Sequence, residues 1–544
     1  MSETLVDADS LGLASLRERI RTTEDEFSTI TRLRYRLFRQ LNEKQDQTHV
    51  FPAEILSSIF EYAYLTSSDD PYTFPDPCVA NPLQLGCVSS RWRRIAWCTP
   101  RLWRNLRLKI HNEVEPSTLH VFRLHLENIG RFTLNIAFVF EPCFLADFRS
   151  APLRRTLCNR ANSSKIEALH LAGKPAANWV SRITASAFPQ LKCFTFCPYA
   201  DVKSDHVSGC LLFNNFPALS KLQLKECQHE VDIVNSLNIT EIDLTYTTIT
   251  TCAEILLSCP NVVKYRSLNP YGAGWRDPQS TVSSEPISFP RLRDLHCEAY
   301  KDDLWASIWD RLQLLPSLHE TNWIMDNLPR QEGLRQISSV LRASTANLKR
   351  LTLKGVYKWT RWDIKELLEH AKQLEVLDME CDDLTAFDVI FVLGLPHKDG
   401  GVLLPALRDI LVQVDPGDEY WEDLQYACIK MLQIRGSMGN LPSVIGLGRV
   451  WSLEAREKLD ELVHAGGWDI KVQEPDPIVK TCSSSDSDSE DEDLVSRSLT
   501  LAFWEPAFLW PIGDGPVSMS KSKLKGVLST RAISSSSVII YKRF

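Results

Sequence analysis

The 544-residue chain has no run of eighteen or more apolar residues, the length a helix needs to cross a hydrocarbon core. Its opening, MSETLVDADS, lacks the basic segment leading into an apolar stretch that marks a secretory signal. Neither a membrane partner nor export is therefore expected. Dense basic stripes are missing too. The formal charge is -8, and the run 483–493, SSSDSDSEDED, carries six of those negative charges, leaving about -2 for the rest. Nucleic-acid binding needs clustered Lys and Arg to displace counterions from phosphates, so no nucleic-acid partner is expected. Catalytic signatures are equally scarce: there is no Gly-x-Ser-x-Gly elbow, no Gly-x-x-x-x-Gly-Lys loop, no Gly-x-Gly-x-x-Gly turn and no His-Glu-x-x-His. The chain reads as a non-enzyme without a cofactor. Its 15 cysteines are an odd number scattered among apolar residues, unlike the short, cysteine-dense scaffolds of secreted proteins. A reducing compartment follows, cytoplasm and/or nucleus, and the glycosylation sequons at Asn162 and Asn238 read as chance matches.

What is present is a chain too long for one ordinary domain, with 44% hydrophobic residues to build cores. Two folded units plus tails are expected. Over residues 1–48 the dominant feature is one amphipathic helix. Leu13, Leu16, Ile20, Phe27, Ile30, Leu37 and Leu41 follow a heptad pattern, with Thr23 and Arg34 at the two polar seam positions. Two readings stand side by side, a homodimer through this helix and packing against the neighbouring domain.

A small helical unit is expected over 49–110. Proline suits the first turn of a helix, so Phe51-Pro52 opens one, with Ile55, Leu56, Ile59, Phe60 and Ala63 on its apolar face. A Pro- and Asp-rich loop over 69–82 precedes a second helix carrying Leu85, Val88, Trp92, Ile95 and Ala96. Thr99-Pro100 then starts a short piece ending in Leu102 and Trp103.

From 111 to 474 the chain repeats itself. The unit is apolar-x-x-apolar-x-apolar, seen at Ile166/Leu169/Leu171, Leu191/Phe194/Phe196, Leu219/Leu222/Leu224, Ile239/Ile242/Leu244, Leu292/Leu295/Cys297, Leu348/Leu351/Leu353, Leu374/Leu377/Met379 and Leu407/Ile410/Val412. Weaker copies lie at Val262/Tyr265 and Leu318/Trp323. The spacing brackets the leucine-rich-repeat period of roughly 20–29 residues, so about ten irregular repeats of strand, loop and helix are expected, an α/β repeat solenoid. Phe188-Pro189, Phe216-Pro217, Phe289-Pro290, Leu315-Pro316 and Leu404-Pro405 punctuate the copies. A helix over 452–464, closed by Gly466-Gly467, and a strand through Trp468, Ile470 and Val472 should end the solenoid.

Successive strand residues alternate, so the side chains between the inward apolar ones face the other way. They are His170, Thr195, Gln223, Asp243, His296, Asn322, Thr352 and Asp378, flanked by charged residues such as Lys221, Glu241, Asp294 and Arg350. This mixed polar row suits a protein target, with His170, Gln223, Asp243, His296, Thr352 and Asp378 as its candidate contacts.

The order Phe51-Pro52-x-Glu54-Ile55-Leu56-x-x-Ile59-Phe60, then Leu85, Val88-Ser89, Arg91-Trp92, Ile95-Ala96, Pro100 and Leu102-Trp103 resembles the F-box family of the fungal type. In that family a Leu-Pro-x-Glu opening, a Val-x-x-x-Trp helix and a closing Pro-x-Leu-Trp occur in this order. Phe51 stands where Leu is usual, and the segment 66–81 is longer than the family's connection. The resemblance implies binding of the Skp adaptor of a cullin-RING ubiquitin ligase through Phe51, Pro52, Ile55, Leu56, Ile59, Phe60, Val88, Trp92 and Trp103. It makes the chain a substrate-recognition subunit whose repeats hold a target. The alternative is a scaffold whose helical module only caps the solenoid.

Arg91, Arg93, Arg94, Arg101 and Arg104 read as a solvated face. Cys193, Cys197, His206 and Cys210 carry zinc-preferred ligand types, but C-x3-C-x8-H-x3-C fits no standard site, and no metal is expected. The acidic serine tract opens a tail, 475–544, expected to be largely disordered. Its five serines among six acids resemble substrates of acid-directed kinases. An apolar patch at 501–511 has no evident partner in the sequence.

Overall fold

A computed structural model of the chain describes residues 12–45, 47–65, 82–110, 114–140, 147–173, 179, 182–183, 186–198, 211–212, 216–227, 231–232, 237–271, 285–299, 303–325, 328–344, 347–396, 401–414 and 420–473. They are mixed α/β and divide into two bodies, the first holding residues up to 108 together with 114–137, the second 109–110 and 138–473. Residues 66–81, His206, Cys210 and the whole acidic tail lie outside the described residues.

The first body begins with α1 (Leu13–Gln45), a single unbroken helix. A 3₁₀ turn, Gln47–Val50, leads into α2 (Ala53–Leu65), with Pro52 just ahead of the first turn, where a missing N–H costs nothing. Then come α3 (Pro82–Val88), α4 (Ser90–Cys98), a 3₁₀ turn Pro100–Trp103, strand β1 (Asn105–Ile110), α5 (Pro116–Asn128) and β2 (Leu134–Phe140). Ser89 caps α4 by accepting from the Trp92 amide at 3.1 Å. The Trp92 ring lies 4.7 Å from that of Phe60, and its Nε1–H donates to Thr48 Oγ1 at 2.7 Å. Arg91 is not a solvated bystander: its guanidinium donates to the Thr48 carbonyl at 2.7 Å and to that of Phe51, pinning the turn that starts α2.

The boundary read at 110 moves because α5 packs on the turn that closes the helical unit. His125 on α5 meets Trp103 edge-on at 4.9 Å, with its Nδ1 3.0 Å from the Val121 carbonyl, while Trp103 Nε1–H donates to the Ala96 carbonyl at 3.0 Å. Both side chains are buried.

The second body is a stack of strands. After α6 (Asp147–Cys158) and α7 (Arg160–Ser163) come β3 (Ile166–Ala172), β4 (Cys193–Cys197), β5 (Lys221–Lys225), β6 (Glu241–Thr245), β7 (Lys264–Leu268), β8 (Asp294–Glu298), β9 (Glu320–Ile324), β10 (Arg350–Val356), β11 (Val376–Cys381), β12 (Asp409–Val414), β13 (Val444–Gly446) and β14 (Lys471–Val472). Each pairs in parallel with the next, in sequence order. The ten copies read from sequence coincide with β3 to β12, and their marker side chains are buried. Two inward positions of the weaker copies are filled by Ser267 and Thr321 instead of aliphatics, which is why the pattern thins there. Strand β13 is not legible in the sequence: only Ile445 of its three residues is fully buried apolar, and Gly446 supplies no side chain.

The Pro punctuation has a sharper role than ending helices. In each case the first apolar residue of the copy returns its amide to the residue before Pro: Leu191 to Phe188, Leu219 to Phe216, Leu292 to Phe289, Leu318 to Leu315 and Leu407 to Leu404, at 3.0–3.3 Å. These are β-turns with Pro at the second position, where its fixed φ fits. Neighbouring turns are tied by side chains, as Asn238 donates to the Pro217 carbonyl at 2.7 Å, Asn261 to that of Leu237 at 2.9 Å and Ser317 to that of Pro290 at 2.7 Å. The Asn238 amide thus serves the fold, as does that of Asn162, which donates to Thr156.

Helices α8 (Ile249–Ser258), α9 (Asp303–Asp310), α10 (Arg330–Ala343), α11 (Arg361–Leu368), α12 (Asp383–Gly394), α13 (Trp421–Ser437) and α14 (Leu453–Gly466) return the chain between strands. Arg435 on α13 is fully buried and donates to the carbonyls of Asn440, Leu393, Leu403 and Leu404, at 3.0, 3.3, 2.8 and 2.9 Å. Burial draws its pKa down to about 10, which leaves it a cation at neutral pH. Leu404 sits at φ 57°, a left-handed conformation costly for a leucine, and the guanidinium holds it there.

Each body has a buried polar group whose removal or titration can be measured. Burial holds the His125 ring down at about 4, whereas the unfolded chain takes up that proton near pH 6.5. Stability from this group is complete above about pH 6.5 and falls by about 3 kcal/mol as pH drops to 4. Urea unfolding of the first body across this window should show the loss, and His125→Phe should flatten it. In the second body, Arg435→Met strands four carbonyls and should cost roughly 3 kcal/mol or more, seen as a lowered urea midpoint.

Candidate functional site

Two surfaces stand out, one on each body. On the first, α2 is apolar around most of its circumference and splits into two stripes. Leu56 and Phe60 are each 2% exposed, the Phe60 ring lies against Trp92, and Ser57 beside them hydrogen-bonds Thr99. Ile55 and Ile59, one residue earlier in each turn, are 47% and 45% exposed, and Phe51 before the helix is 43% exposed. Val50 and Tyr62 extend the row at its two ends. Of the side chains taken from the sequence as adaptor contacts, Phe51, Pro52, Ile55 and Ile59 are therefore available at the surface, and Trp92 is half-buried. Leu56, Phe60, Val88 and Trp103 are core and cannot touch a partner without unfolding the unit. Read from sequence, the two stripes merge into one face. Val50 and Tyr62 escape that reading, although Tyr62 three residues beyond Ile59 continues the helical spacing.

On the second body, parallel register lines up every outward residue with its counterpart in the next strand. One row runs His170, Thr195, Gln223, Asp243, Arg266, His296, Asn322, Thr352, Asp378, Leu411. All six candidate target contacts fall on it. Arg266 and Leu411 are additions, the first hidden because its copy is weak and the second because an apolar residue in an outward position breaks the alternation. Beside this row runs a second: Lys221, Glu241, Lys264, Asp294, Glu320, Arg350. Its charges alternate for most of its length and pair laterally, Lys221 with Glu241 at 3.9 Å and Lys264 with Asp294 at 3.8 Å.

The polar row is only partly satisfied within the protein. Thr195 donates to Gln223 Oε1 at 2.8 Å, and Arg266 lies 3.8 Å from Asp243. Asp243 Oδ1, His296 Nε2 and Asn322 Oδ1 are buried atoms without a hydrogen-bond partner, at a cost of about 1–3 kcal/mol each. Burial, with Arg266 and Lys354 nearby, lowers the His296 pKa against the opposing pull of Asp243, so the ring is held neutral. Burial also raises the Asp378 carboxyl above its ordinary range, against Arg350 and Lys354. The centre of the row is thus a strip of neutral and acidic acceptors with one cation set into it.

Cys193 and Cys197 flank β4 and are both buried, while their suggested zinc partners His206 and Cys210 lie outside the described residues. Among the described residues no cluster of three or more His, Cys, Asp or Glu is placed to hold a metal ion, and no helix is long and apolar enough to cross a membrane. Burial pushes the thiols of Cys252, Cys259 and Cys428 up to about 12 and that of Cys297 well above its ordinary value, which makes them poor nucleophiles.

Alkylation of the native protein at pH 8, mapped by mass spectrometry, should therefore label exposed Cys98 far faster than Cys252, Cys259, Cys297 or Cys428. Rapid labelling of any of these four would reopen a catalytic reading. Comparison with models of known protein families and with curated proteins finds no match to this chain.

Proposed function

We propose that this chain is the substrate-recognition subunit of a Skp-cullin-F-box type ubiquitin ligase. The observation that carries the reading is the exposed apolar row Val50, Phe51, Ile55, Ile59 and Tyr62, displayed by α2 and the turn before it while Leu56 and Phe60 of the same helix are spent on the core. It lies on the part of the chain that resembles the F-box, and it has the apolar centre and charged border of a protein interface, with Glu54 and Glu61 beside it. Its anchoring is local: Arg91 and Trp92 fix the turn from which Phe51 and Pro52 project.

The target would lie along the polar row of the second body, whose side chains, aligned strand by strand, carry both hydrogen-bond donors and acceptors. An extended segment of a protein, rich in backbone and side-chain donors, is the partner such a row suits. Catalysis then needs nothing from this chain beyond proximity, since tethering target and ligase raises the effective concentration of target lysines at the ubiquitin-conjugating enzyme. Such complexes work in the cytoplasm or nucleus, in keeping with the reduced cysteines expected of this chain.

Co-purification with the Skp adaptor and cullin tests the reading. The intact chain should carry both, and Ile55→Asp with Ile59→Asp should lose them at least tenfold while the urea midpoint moves little, because both side chains are about half exposed. Leu56→Asp would instead lower that midpoint. An intact, folded chain that retains no adaptor sinks the proposal and leaves a capped repeat scaffold.

A further inference from the structure

The N-terminal helix has two uses, and the domain it precedes consumes only one. Its C-terminal end docks through one stripe: Tyr35 and Phe38 are half-buried, and Asn42 is buried with its amide donating to the Val88 carbonyl at 2.9 Å. The heptad seam is the neighbouring stripe, about 100° round the helix, and it is left in water. Ile20, Phe27, Ile30 and Leu37 are 58%, 69%, 65% and 55% exposed, and Leu13 and Leu41 at its ends are exposed as well. A 33-residue helix is roughly 50 Å long, so this is an apolar line of a length that solvent alone does not keep.

We infer that the seam is covered by the same helix of a second copy, parallel and in register. The flanks of the seam select this occupant. In a parallel pair, each residue just before one heptad's first seam position faces the residue five further along on the partner helix. Arg19 then meets Glu24 of the second copy, Glu26 meets Thr31 and Leu33 meets Phe38. These are a charge pair, a polar pair and an apolar pair, with no like charges opposed along these flanks. Antiparallel alignments do worse. Matching the seams end to end sets Glu24 and Glu26 against their own copies, sliding by one heptad in one direction leaves Leu33 opposite Glu26, and sliding in the other pairs Arg19 with Glu26 but leaves Arg34, Leu37 and Leu41 beyond the end of the partner helix. Leu33, 54% exposed, finds an apolar neighbour in the parallel register.

The two polar seam positions fit the same arrangement. Thr23 meets Thr23 of the second copy, and Arg34 meets Arg34. A single charged residue at such a position lowers affinity while fixing register and limiting the assembly to two strands. Arg34 has a place for its charge outside the seam, since its guanidinium lies over the Phe38 ring on its own helix, 5.3 Å from the centroid. The dimer would double the adaptor-facing and target-facing surfaces, and its seam is independent of what those surfaces bind.

Analytical ultracentrifugation of the full chain at tens of micromolar tests it, with twice the 62.0 kDa chain mass expected. Ile20→Glu with Ile30→Glu should weaken association at least tenfold with unchanged unfolding midpoint. Arg19→Glu should weaken it several-fold at low salt, and adding Glu24→Arg should restore it. In a Cys98→Ser background, Leu37→Cys should form an intermolecular disulfide with its own copy under mild oxidation, which only the parallel register allows. A monomer at these concentrations, a dimer indifferent to Ile20→Glu with Ile30→Glu, or a Leu37→Cys dimer whose introduced thiol stays reduced would overturn the inference.

Discussion

Every strand of the second body satisfies its backbone hydrogen bonds only through the strands of the preceding and following turns of the chain. A five-residue strand such as Glu241–Thr245 has no hairpin partner and no stability alone. This one constraint dictates the rest. Parallel register, which slips only beyond Leu353 between β10 and β11, puts like positions in columns, so apolar columns become the core and the columns between them become surface rows. The Pro turns set where each strand begins, and Asn238, Asn261 and Ser317 fasten one turn to the next where backbone bonding is incomplete.

The same constraint explains which features are legible in the sequence. Ten strands can be found because a column tolerates only inward apolar residues at two-residue spacing, and Leu222 and Leu224 or Leu377 and Met379 announce it directly. Ser267 and Thr321 fill inward places with groups that find hydrogen-bond partners within the core, Ser267 donating to Cys252 Sγ at 3.5 Å and Thr321 accepting from Trp323 Nε1–H at 2.8 Å, and the signal fades there without the strand being lost. The outward row is readable for the complementary reason, since alternation fixes which residues leave the core. What alternation cannot reveal is lateral neighbourhood. That Arg266 sits between Asp243 and His296 is a property of register between β6, β7 and β8, not of any one strand.

Helical surfaces are less forgiving to read. On α2 a shift of one residue, about 100° of rotation, separates core from surface, so Ile55 and Leu56 have opposite fates while looking alike in sequence. Only the partners decide it: Phe60 reaches Trp92, Ser57 hydrogen-bonds Thr99 at 2.8 Å, and the Ile55 side of the helix is left over. The repeat body meets no such ambiguity because strand residues have just two sides.

The N-terminal helix shows the two kinds of information in one element. Its seam is visible in sequence as a seven-residue period, yet the period alone is equally consistent with burial against the protein's own core. The structure separates the alternatives because docking uses Tyr35, Phe38 and Asn42, a stripe one residue on from the seam positions 34, 37 and 41. Two stripes on one helix imply two separate packing obligations. The exposed row on α2 poses the same problem at smaller scale, with Leu56 and Phe60 meeting one obligation and Ile55 and Ile59 awaiting the other. In both elements the apolar side chains left in water are ordered at helical spacing and not scattered. Selection for the core alone gives no reason for that order, which is the physical ground for assigning each surplus stripe to another molecule.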